Sequence, residues 1–312
     1  MDNIQITLNA VIPLISYVAL GYFTRERRIS DEKFFKEMSR VILHAFFPFV
    51  MFNNICQVDW NSGGKGKLIL VVLCNFILVI AILLLIVPRL VRENEKRGVI
   101  IQGIFRSNSV LFAIPLTQSI YGQEGVTTAS LILMFMIPLY NIMAVIVLEY
   151  YHEKNISLPK LLLNIAKNPL IIGAAAGIVF SLLPVSLPGF LQIPIAKIAD
   201  FTSPLALFAL GGSLKLASIG GNLRYLVPSL SFKMLALPAV SLGISRFFGF
   251  SAVETFVCFC LYATPVAAAS YPMAQELGGD GELAGEFVIF STILSGFTLF
   301  FWIYAMKTIG VF

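Results

Sequence analysis

The chain has 312 residues, of which 58% are hydrophobic and only 12% charged, and a formal net charge of +5. About a quarter of the residues of a soluble domain are charged, so an ordinary soluble fold is excluded and the chain reads as polytopic. The positive charge does not make a nucleic-acid surface either, because the basic residues sit in short stretches between apolar runs, as topology signals do.

The first apolar run has no basic residues before it; Arg25, Arg27 and Arg28 follow it instead. That order is the reverse of a signal peptide and predicts a retained first span. Ten spans are placed by apolar length, roughly 4–22, 41–58, 68–90, 98–121, 126–149, 169–186, 196–214, 225–247, 252–275 and 286–309. Ahead of the second, DEKFFKEMSR sets Phe34, Phe35 and Met38 among charges and predicts a short interfacial helix. One set of alternate loops holds fifteen Lys and Arg, and the other, with the termini, holds five. The positive-inside rule puts the first set in the cytoplasm and both termini outside, in a multi-pass protein of the cell membrane.

Of the Lys and Arg, only Arg106 and Lys233 remain inside spans once those of the loops and span ends are counted, and Arg106 lies in the most unusual stretch of the chain, VIIQGIFRSNSVLFAIPLTQSIYG from Val99 to Gly122. It carries Arg106, Ser107, Asn108 and Ser109 near its centre and Pro115 two turns later. Proline lacks an amide donor, which predicts an interruption at Pro115 and an orphan Leu111 carbonyl. Span nine carries Pro265 and Pro272, with the small residues Ala267 to Ser270 between them, and Pro265 predicts the same for the Leu261 carbonyl.

Ten spans divide into two halves of five, so the second half is inverted relative to the first. The division runs 1–150 for the first repeat, 151–167 for a cytoplasmic linker and 168–312 for the second. Interrupted spans at matching places of two inverted halves point to a transporter's binding site. Half-helices starting at Pro115 and Pro265 would aim two positive N-terminal ends at the midplane, a setting for a carboxylate.

Around that site the candidate binding residues are Asn108, Pro115, Pro265, Arg106, Ser109, Ala267, Ser270, Asn141 and Lys233. A charge inside a span is expensive and points to function. Arg106 either attracts an anion or snorkels to the interface. Lys233 is either a fixed cation where another transporter would bind Na⁺, or a lysine bonded to the carbonyls of a helix kinked near Pro238. Asn53, Asn54, Asn75 and Asn141 read as interhelical amides. His44 reads as a satisfied interior residue, and Asp200 as solvated near the outer end of span seven. Cys56, Cys74, Cys258 and Cys260 show neither a disulfide framework nor zinc spacing, so no metal and no cofactor are expected.

No G-x-x-x-x-G-K-[ST] run is present, which disfavours direct ATP drive. An intramembrane aspartyl protease needs two carboxylates sharing a site within a span, and Asp280 sits in a polar loop instead, so no enzyme is expected. A channel or sensor is the other class to set against a secondary transporter. The partners expected are a small organic anion, the lipid bilayer, protons or Na⁺ as driving ions, and a second copy of the chain, with no nucleic acid.

FRSNSVLFAIPLTQSIYG resembles the fourth span of the auxin efflux carrier family, which includes plant PIN carriers and bacterial malate-type permeases. Asn108, Pro115, Leu116, Tyr121 and Gly122 match its pattern. KNPLIIGAAAGIVFSLL, SPLALFALGGSLKL and ATPVAAASYPMAQELGGDGELAGEFVIFSTILSGFTLFFWI resemble later family spans. The resemblance implies an all-α membrane protein of the kind shared with bile acid symporters. Its ten helices form two inverted five-helix repeats, and broken helices four and nine cross at their prolines. It also implies scaffold and transport domains, each built from both repeats and moving in elevator fashion, with organic anions held at the crossover near Asn108. The chain departs from plant members in lacking a long central hydrophilic loop and in carrying Arg106 where they have an uncharged residue. Malate would suit it better than auxin.

Overall fold

The computed structural model describes residues 3–56, 65–152, 158–182, 187–214 and 221–311. The described chain is helical throughout: α1 (Asn3–Glu26), α2 (Glu32–Val41), α3 (Phe47–Cys56), α4 (Gly66–Leu90), α5 (Asn94–Phe105), α6 (Ser109–His152), α7 (Leu158–Lys167), α8 (Pro169–Leu182), α9 (Gly189–Ser213), α10 (Leu223–Ser231), α11 (Leu237–Phe247), α12 (Ala252–Ala263), α13 (Ser270–Glu276) and α14 (Gly281–Thr308). Among the described residues five helices are long and apolar enough to cross a bilayer, namely α4, α6, α9, α14 and the joined α10–α11. The bent pair α7–α8, angled by 69°, brings the number to six. The segment read as linker thus contains a helix, α7, and residues 153–157 of it lie outside the described residues.

The charged stretch before the second span forms the expected helix, α2, but it is continuous with the span rather than separate from it. Asp31 caps α2 by accepting the Phe34 N–H at 2.9 Å, and α2 then continues through a π-helical turn, Ile42–Phe46, straight into α3. Phe35, expected at an interface, is fully buried against Phe208 with ring centroids 5.5 Å apart. His44 corrects the reading the other way. It is exposed, with Nδ1 2.9 Å from the Arg40 carbonyl oxygen, one turn back.

The long α6 is two helices joined at Gly122, whose φ of 59° and ψ of −139° lie outside the helical region. A Cβ there would meet nothing, so the requirement is conformational, and glycine meets it without steric cost. The most extensive helix contacts are α1 with α9 and α3 with α8. Both depend on glycine: a Cβ on Gly211 would lie 1.9 Å from the Val18 carbonyl oxygen, and one on Gly173 2.4 Å from that of Pro48. Small residues let backbones approach this closely in lipid, where apolar side chains gain nothing by leaving their surroundings.

The polar contacts between loops fall into two groups. Arg40 pairs with Glu276 at 3.1 Å, Lys96 with Asp280 at 3.6 Å and Arg224 with Glu93 at 3.3 Å, while Lys96 also donates to Asn222 Oδ1 at 2.8 Å. Lys65 pairs with Glu254 at 3.7 Å and donates to Thr128 Oγ1 at 2.7 Å, and Lys67 donates to the Phe248 carbonyl at 2.6 Å. The first group joins loops of one alternate set, and the second joins a loop of the other set to residues at or beside the neighbouring span ends. Of these ion pairs only Arg224–Glu93 is exposed on both sides, and such a pair stabilises little. The value of these contacts here is topological.

Candidate functional site

Two interruptions meet inside the helical body. Helix α5 ends at Phe105 and the chain turns extended at Arg106, with φ −89° and ψ 117°, before α6 begins at Ser109. Helix α12 ends at Ala263, and Thr264 is extended at φ −76° and ψ 153°. The residue before a proline is pushed out of the helical region, so Pro265 sets that second break. Ser107 and Val266 pair as an isolated antiparallel bridge, and the Asn108 N–H donates to the Pro265 carbonyl at 2.7 Å. The Val266 N–H goes to Ser291 Oγ at 2.9 Å. The Asn108 and Val266 N–H groups and the Pro265 carbonyl are thus satisfied across the crossing and by α14, which helps make the interruption tolerable in an apolar medium.

The first break is not where Pro115 predicted it. Pro115 lies inside α6, seven residues into the helix, and the interruption sits at residues 106–108. The half-helix that begins at the break therefore starts at Ser109. In the second half α13 starts at Ser270 and spans only seven residues, so a pair of long half-helices starting at the prolines is not what forms. The Leu261 carbonyl, expected to be an orphan, accepts the Tyr140 hydroxyl at 3.3 Å.

Beside the crossing lies a cavity of about 830 Å³, walled by α1, α3, α6, α9 and the two extended segments. Arg106, Asn108, Ser109, Pro115, Asn141 and Ala267 all reach its wall. Arg106 and Asn108 would diverge on a straight helix. The extended backbone brings both to one surface. Arg106 is 3% exposed and donates to Asn141 Oδ1 and to Met273 Sδ. No carboxylate pairs with it among the described residues. Asn141 Nδ2 donates in turn to the Ile137 carbonyl at 2.8 Å, which fixes Oδ1 toward Arg106. The Asn108 side-chain amide faces the cavity unclaimed by any described group.

This geometry agrees with what the chain is similar to. A family model described as "Membrane transport protein" matches residues 6–303. The chain belongs to that family. It is the auxin efflux carrier family of the sequence resemblance, and its members are multi-pass membrane transporters. Among its relatives are an uncharacterized transporter of Methanocaldococcus jannaschii and another of Methanothermobacter thermautotrophicus. The first is 20% identical over 96% of this chain and 98% of the relative, and the second 21% identical over 94% and 96%.

Three of the expected binding residues of this transporter stand off the cavity wall: Pro265, Ser270 and Lys233. Pro265 gives its carbonyl to the crossing. The Ser270 carbonyl accepts Gln102 Nε2 at 3.1 Å, which ties α13 to α5. Lys233 is fully buried in a second π-helical turn, Phe232–Ala236. Its Nζ donates to Ser107 Oγ at 2.7 Å and to the carbonyls of Ile104 and Arg106 at 3.3 and 3.4 Å. Those carbonyls end α5, where the helix dipole is negative. Lys233 thus braces the extended segment from behind, bonding to the broken helix of the other half rather than to carbonyls near Pro238. Lys233→Met is expected to strand these three oxygens and lower stability by about 1–3 kcal/mol, read as the melting temperature in detergent.

Sequence reading missed Asp200. It placed this residue at the outer end of its span, but α9 begins at Gly189, so Asp200 is near the middle of a 25-residue helix and on the cavity wall. Tyr17, Tyr140 and Gln118 share that wall. None carried a motif that would have singled it out.

Proposed function

We propose that the protein is a secondary transporter of small organic anions, carboxylates such as malate or auxin-like acids, bound where residues 106–108 cross 264–266. The observation that carries this reading is Arg106, a guanidinium buried at the cavity wall without a carboxylate partner among the described residues. An uncompensated buried charge is costly, and an anionic ligand would compensate it. Asn108 and the free N–H groups opening α6 add donors on the same side.

The reading includes ten crossings in two inverted repeats and elevator-type alternating access. Its supports are the exchange of partners, with α1 on α9 and α3 on α8, the two interruptions about half the chain apart, and the sorting of loop contacts into two sets. Loop charge puts both termini outside the cell membrane. The Lys233 ammonium already occupies the carbonyl end of α5, which favours drive by protons or membrane potential over Na⁺ at that place.

The test is thermal stability of the purified protein against malate, succinate and indole-3-acetate, with and without Na⁺. A ligand of the folded state adds about 2.7 kcal/mol at a hundred times its Kd. A shift from one of these acids that disappears in Asn108→Ala supports the crossover site. No shift from any acid, with a shift from Na⁺ alone, overturns it.

A further inference from the structure

A carboxylate halfway along a membrane-spanning helix is expensive and tends to be kept for function. Asp200 is the twelfth of the 25 residues of α9 and lines the same cavity as Arg106. It is exposed there rather than packed away, and no described cation pairs with it, although Lys197 lies only one turn back on its own helix. The two charges come from different elements. Arg106 belongs to the crossing, and Asp200 to the helix that packs on α1. The rest of the wall mixes apolar residues such as Leu14, Val50 and Phe47 with polar ones such as Asn54, Gln118 and Ser203, and among the described residues it carries no other charge. The cavity therefore offers one cationic pole and one anionic pole in an otherwise uncharged wall.

We propose that the cargo is amphoteric: its carboxylate faces Arg106 and Asn108, and a protonated amine on the same molecule faces Asp200. This rests on the anion reading above and adds the second pole to it. A simple carboxylate would satisfy Arg106 and leave Asp200 facing apolar ligand atoms, which is unfavourable for an ionised group. A carboxylate with an amine satisfies both, and the pairing becomes the basis for rejecting its amine-free analogue, since a ligand that covers Asp200 without pairing it strips the carboxylate of water and returns no partner.

The experiment compares pentanoate, 2-aminopentanoate and 5-aminopentanoate, which share a carbon chain and place the amine at two distances from the carboxylate. Each is titrated at constant ionic strength into wild type, Asp200→Asn, Asp200→Glu and Arg106→Gln, with the melting temperature as readout. The expected result is that one aminopentanoate binds wild type about tenfold tighter than pentanoate, a difference of ~1.4 kcal/mol. Asp200→Asn then removes the preference while keeping the pentanoate response, and Asp200→Glu retains it. Pentanoate binding as well as both amino acids, with a response lost in Arg106→Gln, overturns the amphoteric cargo and leaves the anion site standing. A shift with Na⁺ alone that vanishes in Asp200→Asn overturns it too, making Asp200 a coupling-ion ligand. No response to any of the three compounds overturns the amphoteric cargo, while the anion reading is decided separately by the malate, succinate and indole-3-acetate series.

Discussion

Replacing Arg106 with glutamine is expected to leave the empty protein at least as stable as wild type while abolishing most of its anion binding. Lys233 and Arg106 are both buried cations, yet they are supported differently. Lys233 has three oxygen acceptors, and Arg106 has one amide oxygen and a thioether sulfur. Removing a poorly compensated buried charge relieves its desolvation, and neutral replacements of buried ions are often neutral or stabilising. Glutamine can still reach toward Asn141. Truncating one partner of a desolvated charge pair costs about 2–5 kcal/mol of binding, so anion affinity should fall roughly 30-fold or more. The check is a paired measurement on one preparation, melting temperature without ligand and its shift with ligand. A large fall in the empty protein's melting temperature would show that Arg106 is structural.

Gly211→Val should prevent accumulation of folded protein. The position of the added Cβ lies 1.9 Å from the Val18 carbonyl oxygen, and its next nearest atoms are also Val18 backbone. No side chain can rotate out of the way, so α1 and α9 must separate along their main contact. Overpacking of this kind costs about 1–3 kcal/mol where side chains can yield, and more is expected where only backbone can. Size-exclusion profile and melting temperature in detergent are the readouts. Gly243→Ala, in α11 with open space at its Cβ, is the matched control and should stabilise slightly. Equal behaviour of the two variants would mean that the α1–α9 contact is not tight.

Family and helical class were legible in the sequence because both rest on composition and on a long motif. The break was located wrongly because proline is a local signal, and helix α6 accommodates Pro115 seven residues in. What opens the chain at residues 106–108 is a partner about half the chain away, supplied by Pro265 and Val266. Nothing in Arg-Ser-Asn-Ser announces that partner. Asp200 was misplaced through a boundary, since α9 starts seven residues before the apolar run that marked its span. The residue is exposed, as expected, but on the wall of the cavity. The π-turn that joins α2 to α3 likewise has no hydrophobic pattern of its own.

The bridge between Ser107 and Val266 also sets an order of events during synthesis. Residues 106–108 leave the ribosome long before 264–266 exist, and the Ser291 hydroxyl that holds Val266 comes later still. At about 5–20 residues per second the wait is roughly 8 to 30 seconds. Throughout it, an inserted first half carries an extended stretch whose Asn108 N–H lacks its Pro265 partner, and an unsatisfied backbone group in lipid costs several kcal/mol. The newborn half must keep that stretch near water or against the insertion machinery. Truncation anywhere before residue 266 would therefore leave a membrane fragment with an unpaired break, a ready target for quality-control proteases.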